Sequence, residues 1–166
     1  MVNMLTRSLR IGLKKATLLS VALGACLLSA APTQQQTGGR LSSPEINELS
    51  GLVKSRQFKD VLWAHNDSGD SARLFPIRRS GQLITPPNST HAVGLTITGA
   101  KNVDWEDITT DGKNLYISDM GNNSNARKDL GVYVVPEPDP TKVFKSAPAT
   151  FIPIRYPDQT SFPANP

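Results

Sequence analysis

The chain has 166 residues, with 18 Lys and Arg against 14 Asp and Glu. Four of the basic residues lie within the first 15 positions, so the rest of the chain carries 14 of each sign. That balance gives no electrostatic footprint for nucleic acid or for an acidic membrane surface. Cys26 is the only cysteine, which excludes a disulfide framework and a thiolate metal site.

Residues 1–31 have the pattern of a secretory signal peptide. Residues 1–15 contain basic and no acidic side chains, and Ala16 to Ala31 are apolar or small without a charge. The uncharged run of 16 residues is shorter than the ~18 expected of a membrane-spanning helix. We therefore predict an exported protein that is periplasmic, on the cell surface or secreted.

The cleavage point of this signal has two interpretations. Leu23-Gly24-Ala25-Cys26 resembles a bacterial lipobox, in which Cys26 becomes the lipidated first residue and anchors the protein to a membrane. Alternatively, Cys26 is one more apolar residue and cleavage falls near Ala30. We favour the lipoprotein.

Residues 32–47 are predicted to be a flexible linker, because Pro32 to Gly39 offers no apolar residue for a core. Residues 48–166 are predicted to fold as an all-β domain. Their apolar residues fall in short runs of β-branched and aromatic type, each bounded by turn residues, and no amphipathic helical stretch of useful length is present.

These short runs form an internal repeat of about fifty residues. Val61 to Phe75 is matched by Asn114 to Val134, with Leu62 and Leu115 standing 53 residues apart. Ser50-Gly51-Leu52-Val53 takes the place in the first unit that Glu106-Asp107-Ile108-Thr109 takes in the second. Each unit offers four short strands, the number in one propeller blade. An ordinary antiparallel sandwich is the alternative, which we rank second because the loop chemistry repeats as well.

A propeller needs ~4 to 8 blades, and this chain supplies about two. We expect a fragment of a longer protein, with open blade edges that are prone to aggregation. A ring assembled from several copies is the less favoured alternative.

Oxygen donors cluster around the second unit. Asp104, Glu106 and Asp107 precede a strand, and Asp119 ends the next one, while Asn66 occupies the matching loop of the first unit. Calcium prefers hard oxygen ligands of this kind. The pattern predicts a calcium site at one end of the sheet. The alternative is that Asn and Asp at strand ends cap turns, which we favour for Asn66.

The histidine at position 65 follows Trp63 in a repeated strand and is a weak candidate for a general base. The alternative, which we favour, is a histidine hydrogen-bonded to the neighbouring blade. Trp63 and Trp105 are interpreted as packing between blades. Serine-hydrolase, P-loop, dinucleotide and zinc motifs are absent from the sequence.

Four segments resemble a group of exported bacterial β-propeller proteins without an assigned activity: ELSGL from Glu48, WAHNDSGD from Trp63, NVDWEDI from Asn102 and LYISDMGNN from Leu115. More distantly, Glu106-Asp107-Ile108 followed by Gly112 is similar to the first blade of the paraoxonase and gluconolactonase-like six-bladed propellers. That resemblance implies that Glu106 binds a central catalytic calcium and Asp107 a structural one. The other ligands of that superfamily come from later blades, beyond Pro166.

Two functions follow as hypotheses. The first is a non-catalytic binding or structural module with a calcium site, whose partner is a small molecule or a protein. The second, for a longer parent protein, is a calcium-dependent hydrolase of esters or lactones, in which the metal polarises the carbonyl and activates water. A fold shared with enzymes does not confer their activity, and we rank the two hypotheses as near equal for the parent protein. For this chain we favour the first, because the missing blades would carry most of the metal ligands and any catalytic base.

Overall fold

A computed structural model describes residues 38–41, 43–86 and 93–163. These ranges contain eight β-strands and no helix, which confirms the all-β prediction. The strands are β1 Leu49–Lys54, β2 Leu62–Asn66, β3 Arg73–Ile77, β4 Leu95–Thr96, β5 Trp105–Thr110, β6 Asn114–Asp119, β7 Gly131–Pro136 and β8 Thr150–Pro153. No helix long and apolar enough to cross a membrane occurs within those ranges. The predicted signal peptide and Cys26 lie outside them.

The strands form two four-stranded sheets, in the orders β1-β2-β3-β4 and β5-β6-β7-β8. Every neighbouring pair is antiparallel. Each sheet is therefore a simple meander, and the two meanders follow each other along the chain. This confirms two four-stranded antiparallel units within the repeat.

The two sheets share an irregularity at the same place. In the first sheet Leu49 pairs with Asn66 and Gly51 with His65, so that Ser50 is an extra, unpaired residue. In the second sheet Trp105 pairs with Asp119 and Asp107 with Ser118, which leaves Glu106 unpaired. A β-bulge of this kind bends the strand and re-aims its side chains. The structural repeat thus aligns Ser50 with Glu106, as the sequence repeat does.

A tight turn joins β5 to β6. The Asp111 carboxylate accepts the backbone N–H groups of Lys113 and Asn114, both at 2.7 Å, and the Tyr116 hydroxyl at 2.9 Å. Gly112 has a φ of 95°, a conformation that side chains rarely adopt. The Asp-Gly pair therefore sets the turn by its own side-chain and backbone chemistry.

The main core lies between the two sheets, where β1 runs beside β5. Trp63 and Leu74 of the first sheet share one buried cluster with Trp105, Ile117 and Val135 of the second. The Trp63 indole N–H also donates to the buried carboxylate of Glu137 at 2.7 Å, and the Ser50 hydroxyl donates to the Glu106 carbonyl at 3.2 Å. Both tryptophans thus pack between the sheets, in keeping with their sequence interpretation.

A smaller core covers the opposite face of the first sheet. Ala64, Phe75 and Ile77 are buried there, and Leu41 and Ile46 pack against them. Glu45 also forms an ion pair with Arg73 at 3.0 Å. The last part of the predicted 32–47 linker therefore lies against the sheet and contributes to its packing.

Candidate functional site

The candidate site lies where β5 begins beside the ends of β2 and β6. The backbone N–H of Asp104 donates to Oδ1 of Asp119 at 3.0 Å. The N–H of Gly121 donates to the Asp104 carbonyl, also at 3.0 Å. These bonds hold the entry of β5 against the exit of β6, so Asp104 and Glu106 are positioned by the sheet rather than by a free loop.

Asn102 ties this entry to the first sheet. Its side-chain N–H donates to the Asp67 carbonyl at 2.8 Å, and its Oδ1 accepts the N–H of Trp105 at 3.2 Å. Asp67 follows β2 directly, and its N–H bonds to the Glu48 carbonyl at 2.9 Å. The loop after β2 is thereby fixed beside Asp104.

Asp67, Asp104 and Glu106 form a group that we call the acidic cluster. The carboxylates of Asp104 and Glu106 both lie over Gly121, where a Cβ would overlap them, and Asp67 is near enough for its charge to act on both. Partial burial and the charge of Asp67 raise the pKa of Asp104. Partial burial and the charges of the other two members raise the pKa of Glu106. Repulsion within the cluster therefore favours binding of a cation or a proton.

Asp119 lies beside the cluster, but its carboxylate already forms an ion pair with Arg127. Its Oδ1 accepts Nη1 of Arg127 at 2.9 Å, and its side chain is only 2% exposed. Arg127 also donates to the Gly121 carbonyl at 2.8 Å and to Asp129 at 3.1 Å. A buried carboxylate paired in this way is costly to release. The structure thus gives Asp119 a structural partner.

Asn66 is buried, and its side chain is committed to the first sheet. Its Nδ2 donates to the Glu45 carbonyl at 2.7 Å and to the Asp70 carboxylate at 2.9 Å, while its Oδ1 lies 3.4 Å from the N–H of Glu48. The polar atoms of Asn66 are thus engaged by the segment before β1 and by Asp70.

Asp107 and His65 meet at the junction of the sheets. Oδ1 of Asp107 accepts the N–H of Ile108 at 2.7 Å, and its charge acts on His65. The His65 ring is fully buried, with its edge against Trp105 at a centroid distance of 5.6 Å. Its Nδ1 bonds to the Asn66 carbonyl at 2.9 Å, and its Nε2 has no hydrogen-bond partner.

Burial lowers the pKa of His65, although the Asn66 carbonyl and the Asp107 charge oppose the shift. The ring is therefore neutral near pH 7, with the Nδ1 proton donated to Asn66. A neutral imidazole could serve as a base, but a fully enclosed ring has no exposed atom to offer a substrate. The hydrolase hypothesis gains no support from this residue.

The five predicted ligands thus separate into two groups. Asp104 and Glu106 come together, whereas Asn66, Asp107 and Asp119 have other contacts. Within the described ranges, no group of three or more His, Cys, Asp or Glu side chains is arranged so that it could hold a metal ion. A cation at the acidic cluster therefore requires its carboxylates to rotate toward each other, and Glu106, which is exposed on its bulge, is free to do so.

Sequence reasoning did not select Asp67 as a ligand or Arg127 as the partner of Asp119. The sequence repeat did contain a signal for Arg127, because Ala72-Arg73 and Ala126-Arg127 follow matching loops. In the structure each of these arginines pairs with a carboxylate. Asp67 gave no comparable signal, since its place beside Asp104 depends on how the two sheets pack.

Comparison with protein-family models, with curated proteins and with solved structures gives no significant match to this chain. The interpretation of the site therefore depends on its own geometry and chemistry.

Proposed function

We propose that this chain is a non-catalytic binding module of the β-propeller type, in which the acidic cluster binds a calcium ion that helps to hold a ligand. The observation that carries this proposal is the convergence of Asp67, Asp104 and Glu106 from both sheets on one place. Arg127, whose charge partly offsets the repulsion at Asp104, also forms ion pairs with Asp119 and Asp129. The protein's own charges therefore relieve the repulsion among the three carboxylates only in part, and an ion from solution can relieve the rest.

The donor set fits the chemistry of calcium. Three carboxylates supply oxygen atoms only, and calcium accepts six to eight such ligands in flexible geometry. The partial exposure of the cluster leaves room for water or for an oxygen atom of a bound partner. An ion held in this manner would bind with a dissociation constant of ~10⁻⁴ to 10⁻³ M, as in extracellular modules.

The β-propeller part of the proposal is supported by the repeat of the sheets. Both have the same strand order and the same bulge, and their first strands, β1 and β5, are neighbours, as the inner strands of adjoining blades are. The strand register repeats as well. Tyr116 pairs with Val134 in the second sheet as Trp63 pairs with Pro76 in the first, so the two pairs occupy matching faces of the two sheets. Separation of β1 from β5 in solution would contradict this assignment.

Thermal unfolding of the full chain with calcium and with a chelator tests the calcium site. We expect calcium to raise the midpoint of the wild-type chain, because an ion that binds only the folded state stabilises it. The Glu106→Gln variant should lose that shift. Its matched control is Asp107→Asn, which removes the adjacent charge and retains an acceptor for the N–H of Ile108. Equal calcium shifts in all three proteins would exclude the acidic cluster as the site.

The same experiment without calcium has a second expected result. Glu106→Gln should be more stable than wild type by about 0.5 kcal/mol at pH 7, since the substitution relieves repulsion between partly exposed charges. Because the pKa of Glu106 is raised in the folded state, this gain should disappear as the pH falls below ~4, where the wild-type carboxyl is protonated in both states.

A further inference from the structure

A second site candidate lies at the opposite end of the sheets from the acidic cluster. A cleft of about 1010 Å³ opens between the loop that joins β1 to β2 and the end of β5. Four cationic side chains line it, namely Lys54, Arg56, Lys59 and Arg79. We call it the basic cleft. From Glu106 to Thr110 the strand β5 rises by ~13 Å, more than a Debye length at physiological salt, so the acidic cluster does not neutralise these charges.

Among the described residues, the cations of the basic cleft have no ion-pair partners. In the part of the chain that the structure describes, none of the four lies within salt-bridge distance of a carboxylate. Asp60 is the one acidic residue in the lining, and it pairs with Arg78 at 3.7 Å. Glu137 is buried nearby and accepts hydrogen bonds from Trp63 and Gln57. Positive charge therefore remains in excess at the cleft.

The loop that carries these cations is fixed by its own hydrogen bonds. The Ser55 N–H donates to the Val61 carbonyl at 3.0 Å, and the buried Ser55 hydroxyl accepts the N–H groups of Gln57 and Phe58. The stem of Arg56 lies beside Gly112 in the turn of the second sheet. The charged ends thus stand on an ordered frame, which lowers the entropy lost when a ligand is bound.

We propose that the basic cleft binds a multivalent oxyanion, meaning a compound with two or more phosphate or sulfate groups. Four cations in the lining of one cleft match several anionic groups better than a single charge. The guanidinium groups of Arg56 and Arg79 can each donate two parallel hydrogen bonds to such a group. This site is separate from the proposed calcium site.

The test is calorimetric titration of the full chain with tripolyphosphate in calcium-free buffer, since this anion chelates calcium. We expect saturable binding that weakens as the salt concentration rises. The double variant Arg56→Gln with Lys59→Gln should lose about tenfold or more in affinity, because it removes two charge-assisted contacts. Titration with a multiply sulfated disaccharide forms the second arm, and tighter binding of one anion identifies phosphate or sulfate as the natural group.

The matched control is Lys128→Gln with Arg155→Gln, which removes the same charge from exposed positions outside the cleft. This control should bind tripolyphosphate within about twofold of wild type. If the double variant does not fold, the single variant Arg79→Gln provides a second test. This one substitution should weaken the binding of tripolyphosphate. The absence of saturable binding of either anion, or equal losses in the cleft and control variants, would overturn the proposal.

Discussion

Gly51 and His65 show how single residues fit the two sheets together. They pair across β1 and β2 in the first sheet, and the matching pair in the second sheet is Asp107 and Ser118. A Cβ on Gly51 would overlap Nε2 and Cδ2 of the His65 ring. In each sheet a smaller residue thus faces a larger one, and at this position the absence of a side chain makes room for the buried imidazole.

We predict that Gly51→Ala destabilises the chain by about 2 kcal/mol, because the enclosed ring of His65 has no space to move. Gly51 does not have a positive φ, so the cost comes from overlap rather than from backbone strain. The same substitution in a His65→Ser background should cost much less. Chemical denaturation of the four proteins of this double-mutant cycle measures the coupling. An equal cost in both backgrounds would refute the steric account.

Two arginines hold carboxylates in equivalent loops, yet their pairs differ in burial. Asp119, which pairs with Arg127, is 2% exposed, whereas the partners of Arg73 are Asp70 at 14% and Glu45 at 43%. The free-energy cost of removing an arginine rises with the burial of the charge left behind. The two residues therefore provide a matched comparison.

We expect Arg127→Met to cost about 3 kcal/mol, because it leaves Asp119 charged and buried. Arg73→Met should cost about 1 kcal/mol, since water can solvate its partners more readily. Urea denaturation at pH 7 gives both values. A larger loss for Arg73→Met than for Arg127→Met would show that burial of the partner does not set the cost.

At the scale of elements, the hairpin of β5 and β6 depends on the Asp111 turn. Three hydrogen bonds from Lys113, Asn114 and Tyr116 hold the pKa of the Asp111 carboxyl well below its usual range. Because the folded-state pKa is depressed, this carboxylate stabilises the hairpin above pH ~4, and the contribution disappears as the pH falls further.

Asp111→Asn should therefore be less stable than wild type at pH 7, and the difference should narrow on acidification below pH ~4. Chemical denaturation at a series of pH values measures this difference. Asp158→Asn, which changes an exposed carboxylate outside the sheets, is the matched control and should remain close to wild type throughout. A difference between Asp111→Asn and wild type that persists at low pH would mean that the carboxylate charge does not hold the turn.

At the scale of the whole molecule, the equal numbers of acidic and basic residues after position 15 conceal a separation of charge. The acidic cluster lies at one end of β5 and the basic cleft at the other, with the shared core between them. Lys54, Arg56 and Lys59 lie within six residues of the sequence, and the fold adds Arg79 to them, so an excess of positive charge exists locally although the overall composition is balanced. A total charge therefore does not exclude a local anion site.

The strands and their grouping could be predicted from the sequence because they depend on local patterns. Short β-branched runs, Asp111-Gly112 and the repeat of Leu62 at Leu115 mark the elements directly. The site could be predicted only in part, since Asp104 and Glu106 are near in sequence but Asp67 reaches them through the packing of the sheets. Asp119 has the side-chain chemistry of a metal ligand. Only the fold shows that its carboxylate is already paired with Arg127.

Calorimetric titration of calcium into the full chain tests the central claim most directly. We predict one saturable site with a dissociation constant of ~10⁻⁴ to 10⁻³ M, lost in Glu106→Gln and retained in Asp107→Asn. Binding that is absent from the wild-type chain, or that survives Glu106→Gln unchanged, would contradict the assignment of the acidic cluster as a calcium site.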